Sequence, residues 1–187
     1  MEVYVIRHTI VEIGKDTCYG QSNVPLAATF LQDTEHYKKE LPKDFDVVYC
    51  SPLNRCKELA TTLKFENIVY KNALMEMNFG DWENKKWNDL NQTVLNNWMA
   101  DFVNIKAPNG ENLVELFERV KVFADMLRLQ EHKKVLLVTH AGVIRCLWSY
   151  LLEIPLQNIF KIPVEHNEIF ICKLTNNSNT DNIKRIK

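Results

Sequence analysis

The run Lys134-Val135-Leu136-Leu137-Val138-Thr139 constrains the fold of this chain more than any other stretch. It is apolar without polar alternation, and helical patterns flank it. Before it, Leu113, Leu116, Phe117, Val120, Ala124 and Leu127 recur on one helical face; after it, a helix runs to about Leu152. A strand of this kind is buried on both faces, as in a parallel sheet covered by helices. Glu2-Val3-Tyr4-Val5-Ile6-Arg7 and Phe45-Asp46-Val47-Val48-Tyr49-Cys50 repeat the theme, and Asn67 to Tyr70 is a shorter third strand. Alternating β and α segments predict an α/β fold with a mostly parallel central sheet and helices on both faces.

The remaining segments fit around that frame. Residues 9–24 form a polar loop, and Pro25 through Glu40 reads as a helix with Leu26, Phe30 and Leu31 on its apolar face. Ser51 and Pro52 supply a cap and a favoured first position for a helix reaching about Leu63. Trp87, Leu90, Val94, Leu95, Trp98, Met99 and Phe102 keep helical spacing, which predicts a helical insertion at about residues 82–107, over the active-site end of the sheet. Glu168 to Leu174 is a further strand, followed by a turn at Asn176-Asn177-Ser178-Asn179. Asn182 to Ile186 is expected as an exposed edge strand guarded by Lys184, Arg185 and Lys187. A length of 187 residues suits a single domain, 1–187.

Net charge is −1, so no global field attracts nucleic acid, and any anion site must be local. Five scattered cysteines without a C-x-x-C offer neither a disulfide framework nor a metal knuckle. No apolar segment approaches the roughly 20 residues of a membrane helix. The expectation is a cytoplasmic protein with reduced thiols, no metal and no cofactor.

Two of the buried strands end in histidine, at Arg7-His8 and Thr139-His140. A third ends at Cys50-Ser51, with Arg55 on the first turn of the helix beyond. Open α/β sheets bind ligands at the carboxyl ends of their strands. Parallel packing would therefore gather Arg7, His8, Arg55 and His140 around one pocket. Two guanidiniums and two imidazoles there suit a multiply charged anion such as phosphate, with the amides of Ala141 and Gly142 as further donors. A neutral His8 can attack phosphorus and form a phosphohistidine, with the arginines spreading the developing charge. The leaving alkoxide needs a proton, and Glu76 is the candidate donor, although Asp81 and Glu83 stand close to it in sequence.

Ile6-Arg7-His8-Thr9, Ser51-Pro52-Leu53-Asn54-Arg55, Glu76 with Phe79-Gly80-Asp81-Trp82-Glu83, Pro108-Asn109-Gly110-Glu111 and Thr139-His140-Ala141-Gly142-Val143-Ile144-Arg145 resemble, in order, the blocks of the histidine phosphatase (phosphoglycerate-mutase-like) superfamily. The resemblance implies a three-layer α/β/α sandwich and no required metal. It makes His8 the phosphorylated residue, Arg7, Arg55 and His140 phosphate ligands, and Glu76 the general acid and base. Within the superfamily, Arg-His-Thr, the loop Cys18-Tyr19-Gly20-Gln21-Ser22 and the segment 76–83 are most similar to α-ribazole phosphatases of cobalamin biosynthesis. Thr9, Ile10 and Gly14 depart from the usual pattern.

The expected partner is a small phosphomonoester, with neither nucleic acid nor membrane; oligomeric state is not readable. Competing readings are a phosphoglycerate mutase or sugar-phosphate phosphatase, and a non-catalytic phospho-ligand binding module. Tyr19, Gln21 and Ser22 are candidate substrate contacts, and Glu111 is either a helix-start carboxylate or a rim contact. Trp82, Trp87 and Trp98 read as core of the insertion, and His36, His132 and His166 as surface or turn residues.

Overall fold

The computed structural model describes residues 1–175 and 177–186; Asn176, assigned above to a turn, and Lys187, assigned to the tail, lie outside the described residues. Six strands, β1 (Glu2–Arg7), β2 (Val47–Cys50), β3 (Ile68–Tyr70), β4 (Lys134–Thr139), β5 (Ile169–Lys173) and β6 (Asn182–Ile186), form one sheet in the order β3-β2-β4-β1-β5-β6. The first four pair in parallel, whereas β5 and β6 return antiparallel.

Successive residues of the central strands face opposite sides, and both sides are apolar. Val3, Val5, Tyr49, Val135 and Leu137 pack under helices α4 (Leu113–Arg128) and α5 (Ala141–Leu152). Ile6, Val48, Leu136 and Val138 pack under α1 (Phe30–Glu40) and α2 (Asn54–Thr62). Such two-sided burial is what an unalternating strand requires, and it makes the molecule an α/β/α sandwich. A smaller cluster of Cys18, Trp82, Leu90, Leu95 and Ala107 lies beside α3 (Gln92–Ala100), with Trp87 and Trp98 packed against it. Segment 80–107 is less helical than its periodicity suggests: two short 3-10 turns, Gly80–Trp82 and Trp87–Asp89, precede α3.

The helix expected from Pro25 starts only at Phe30. Residues 25–27 pair instead with the loop after β1: Glu12 N–H donates to the Pro25 carbonyl at 2.8 Å, and Ala27 N–H to that of Ile10 at 3.2 Å. A long-range backbone ladder outcompetes local helix propensity here. The same pairing folds the loop after β1 back over the sheet edge where the site lies.

Candidate active site

Strand register assembles the site. Arg7 lies opposite Thr139 and Cys50 opposite Val138, so the next residues, His8, His140 and Ser51, emerge side by side at one edge. The His8 N–H donates to the Thr139 carbonyl at 2.9 Å, and the Ser51 N–H to that of Val138 at 2.9 Å. The His8 and His140 rings are 5.1 Å apart between centroids, and both are buried, at 1 % and 0 % exposure.

His8 Nδ1 lies 2.7 Å from the Thr9 carbonyl, which can only accept, so Nδ1 carries the proton and Nε2 keeps its lone pair. Because a backbone carbonyl makes this contact, threonine at position 9 does not disturb it. Burial foremost, then the charges of Arg55 and Arg7, hold the His8 pKa well below the ordinary 6.5 in spite of the Thr9 bond. Burial, Arg55, His8 and Arg7 do the same to His140. Ser51 Oγ accepts the Leu53 N–H at 3.3 Å and lies 2.7 Å from His140 Nε2.

A consequence for stability follows from two imidazoles kept neutral by burial. Unfolded, each takes up a proton near pH 6.5; folded, it does so only at lower pH. Stability is therefore fully present above pH 6.5 and falls below it, by about 1.4 kcal/mol per pH unit for each ring until its folded-state pKa is passed. Urea melts at pH 7.5 and 5.5 should record the loss, and a flat profile would mean that both rings protonate in the folded protein.

Arg55, 1 % exposed, donates through Nη1 to the Ser22 carbonyl at 3.0 Å and through Nη2 to that of Gly20 at 2.5 Å, and its guanidinium stands 5.4 Å from the Tyr19 ring centre. Arg7 Nη1 donates to the Val164 carbonyl at 3.0 Å. The Nε–H of each arginine is buried without a partner among the described residues, and neither guanidinium joins an ion pair there. A buried donor left unmatched is unfavourable by about 1–3 kcal/mol. Two of them therefore stand, with guanidinium charges that no described carboxylate neutralises, beside two neutral imidazoles.

The three acidic candidates separate cleanly. Glu83 accepts the backbone N–H groups of Gly20, Gln21, Ser22 and Phe79 at 2.8 to 3.1 Å. Burial opposes its ionisation, but the Ser22 side chain and the amides of Gly20, Gln21 and Ser22 prevail and hold its pKa below the usual value. It is thus the clamp that shapes loop 20–22, whose carbonyls orient Arg55. Asp81 is exposed and accepts from Asn109 Nδ2 at 2.8 Å. Glu76 reaches the histidine edge: its Oε2 accepts the Gly142 N–H at 3.1 Å and its Oε1 the Met77 N–H at 3.0 Å. A Cβ at position 142 would lie 2.2 Å from Oε1, so only glycine there lets the carboxyl sit on the start of α5.

That contact reassigns one expected donor: the Gly142 amide holds Glu76. The loop residues also serve one another. The Gln21 side chain donates to the Glu76 carbonyl at 3.0 Å, and Ser22 bridges Glu83 and Arg55 through its backbone. Glu111 pairs with Arg119 at 2.9 Å and accepts the Asn78 N–H at 2.8 Å. Arg119 in turn donates to the carbonyls of Ala73, Met75 and Glu76. This pair fixes the segment bearing Glu76.

Sequence reading missed two residues. His166 lies in a turn, as expected, but is half-buried with its ring 5.6 Å from that of His8, and its Nδ1 lies 2.9 Å from the His8 carbonyl. Arg145, one turn into α5, stacks on Phe160 and lies close enough to Glu76 and Arg7 to feel both charges. Cys56 Sγ is 3.4 Å from His140 Nε2, but burial pushes its thiol well above 9, so the pair is no thiolate nucleophile. Among the described residues, no three His, Cys, Asp or Glu side chains gather as a metal site, and no helix is long and apolar enough to cross a membrane.

The family model described as histidine phosphatase superfamily (branch 1) matches residues 3–185. The chain belongs to the histidine phosphatase superfamily. It is 28 % identical over 174 residues to the adenosylcobalamin/alpha-ribazole phosphatase of Escherichia coli K12, covering 88 % of this chain and 86 % of that one. It is also 28 % identical over 166 residues to a probable phosphoglycerate mutase, GpmB, of Escherichia fergusonii, covering 83 % and 76 %. The crystal structure of the alpha-ribazole phosphatase from Shigella flexneri superposes with a TM-score of 0.86 at 26 % identity, covering 94 % and 92 %. As a member of this superfamily the chain is a phosphatase, and its α/β/α sandwich is the superfamily's fold.

Proposed function

We propose that this histidine phosphatase hydrolyses a small phosphomonoester through a phosphohistidine on His8, with α-ribazole 5′-phosphate as the substrate. The observation that carries the mechanism is the His8 ring: buried, neutral, and tied through Nδ1 to the Thr9 carbonyl so that Nε2 is the nucleophilic atom. The substrate assignment rests on the α-ribazole phosphatases among the relatives.

In the first step the Nε2 lone pair forms a bond to phosphorus as the ester oxygen departs. The departing oxygen takes a proton from the Glu76 carboxyl. The phosphorylated ring becomes cationic, and the Thr9 carbonyl, already receiving Nδ1–H, stabilises that charge. Arg7, Arg55 and His140 hold the equatorial oxygens throughout. In the second step the Glu76 carboxylate takes a proton from water, the water oxygen bonds to phosphorus, and the N–P bond breaks to release phosphate and neutral His8. No step calls on a metal, so activity is expected to persist in EDTA.

The deciding experiment is phosphate release from α-ribazole 5′-phosphate, compared with phosphorylated sugars and 3-phosphoglycerate. Preference for α-ribazole 5′-phosphate is expected. Interconversion of phosphoglycerate isomers in the presence of bisphosphoglycerate would replace the reading with a mutase. Phosphate binding with no turnover of any ester from pH 5 to 8 would replace it with a binding module.

Glu76 supplies a separate prediction. Glu76→Gln should slow an alkyl phosphate by about 10²–10⁴-fold, the usual worth of general acid catalysis, and para-nitrophenyl phosphate far less, because nitrophenolate leaves without a proton. Equal losses on both esters would make Glu76 a binding residue.

A further inference from the structure

Beside the histidines, the loop after β1 and His166 enclose a cleft of about 440 Å³, which is within the size range of small-molecule sites. Ile10, Val11, Ile13 and Tyr19 make most of its wall apolar, Lys15 supplies its charge, and the His166 ring forms the side nearest His8. Tyr19 ties the cleft to the cationic site, since its ring also stands against Arg55. His166 presents a defined hydrogen-bonding face. Its Nδ1 donates to the His8 carbonyl, so Nε2 is an acceptor, and no described residue donates to it. Burial and the nearby Arg7 charge lower the His166 pKa below 6.5, which favours that acceptor.

Resting on the phosphatase reading above, we infer that this cleft receives the alcohol half of the substrate and that His166 Nε2 accepts a hydrogen bond from a hydroxyl on it. The class of substrate selected is a phosphomonoester whose alcohol carries both a hydroxyl close to the ester and an apolar ring beyond it. The ring lies against Ile13 and Tyr19. A sugar phosphate lacking the ring forgoes the apolar wall, and a phenyl ester lacking the hydroxyl leaves His166 unmatched.

His166→Asn separates this role from positioning, because a side-chain amide nitrogen can still donate to the His8 carbonyl while the Nε2 acceptor is gone. Binding is measured calorimetrically in a His8→Ala background, which removes turnover, for phenyl phosphate, ribose 5-phosphate and α-ribazole 5′-phosphate; turnover of the same esters is followed in wild-type protein. His166→Asn should weaken the two hydroxyl-bearing esters about three- to tenfold more than phenyl phosphate, the ordinary worth of one hydrogen bond. Ile13→Ser should do the reverse, weakening the two esters with an aromatic ring about tenfold more than ribose 5-phosphate. Equal effects on all three esters, alongside phosphate release by the wild type, would overturn the cleft assignment and leave hydrolysis standing. The predicted inequalities without any phosphate release would keep the cleft and overturn hydrolysis.

Discussion

Replacing His8 with alanine is expected to lower turnover by about 10⁴-fold or more, as loss of a nucleophile does elsewhere, while the protein stays folded. The ring lies between His140 and His166 and, among the described residues, makes a single side-chain hydrogen bond, to its own neighbour's carbonyl. Truncation therefore removes a neutral group without stranding a buried charge. The strand bond from His8 N–H to Thr139 belongs to the backbone and survives. Two measurements check the point. Steady-state release from α-ribazole 5′-phosphate gives the loss, and rapid quenching with labelled ester shows whether a base-stable, acid-labile phosphoprotein forms in wild type and not in His8→Ala. Activity within tenfold of wild type would place the nucleophile elsewhere.

Arg55→Met should lower kcat/KM by about 10³-fold or more, within the range for an arginine serving phosphoryl transfer. The same substitution should move the acid limb of the residual activity toward higher pH. Arg55 is the foremost charge depressing both His8 and His140, so its loss raises their pKa values toward 6.5. Each ring then protonates, and His8 loses its attacking lone pair, at a higher pH than in wild type. Arg55→Lys tests geometry at constant charge: an ammonium cannot hold the Gly20 and Ser22 carbonyls and a phosphate in one plane, so about a 10²-fold loss is expected. The pH–rate profile and the inhibition constant for inorganic phosphate are the readouts. An unchanged phosphate constant in Arg55→Met would remove Arg55 from the anion site.

Much of the sandwich can be read along the chain because period and burial are local properties. Val135 through Val138 have no polar member, so both faces of that strand must be covered. Arg7, His8 and His140 announce themselves as polar residues that end such strands. The segment Pro25–Thr29 misleads for the opposite reason. Its helical spacing is real, but its backbone finds partners at Ile10 and Glu12, and nothing within the segment records them.

Position 76 marks the same boundary. The resemblance already favours Glu76 over its neighbours Asp81 and Glu83, but spacing alone shows no contact that separates the three. The fold chooses: four loop amides occupy Glu83, Asn109 takes Asp81, and the bare Cα of Gly142 admits Glu76 to the histidine edge. The turn at His166 was legible, but its place beside His8 was not. His166 lies 158 positions from His8 and reaches it because β5 runs antiparallel beside β1, which brings the turn before β5 to the carboxyl end of β1.

The sequence by itself determined the sheet and the two histidines and two arginines at its edge, because runs of apolar residues and their polar terminations are written consecutively. Only the tertiary structure decided which carboxyl sits on the Gly142 amide at the start of α5, which nitrogen of His8 is free, and that a third imidazole lines an apolar cleft. Those facts depend on backbone donors and acceptors that every residue carries alike, and their pairing exists only once distant segments meet.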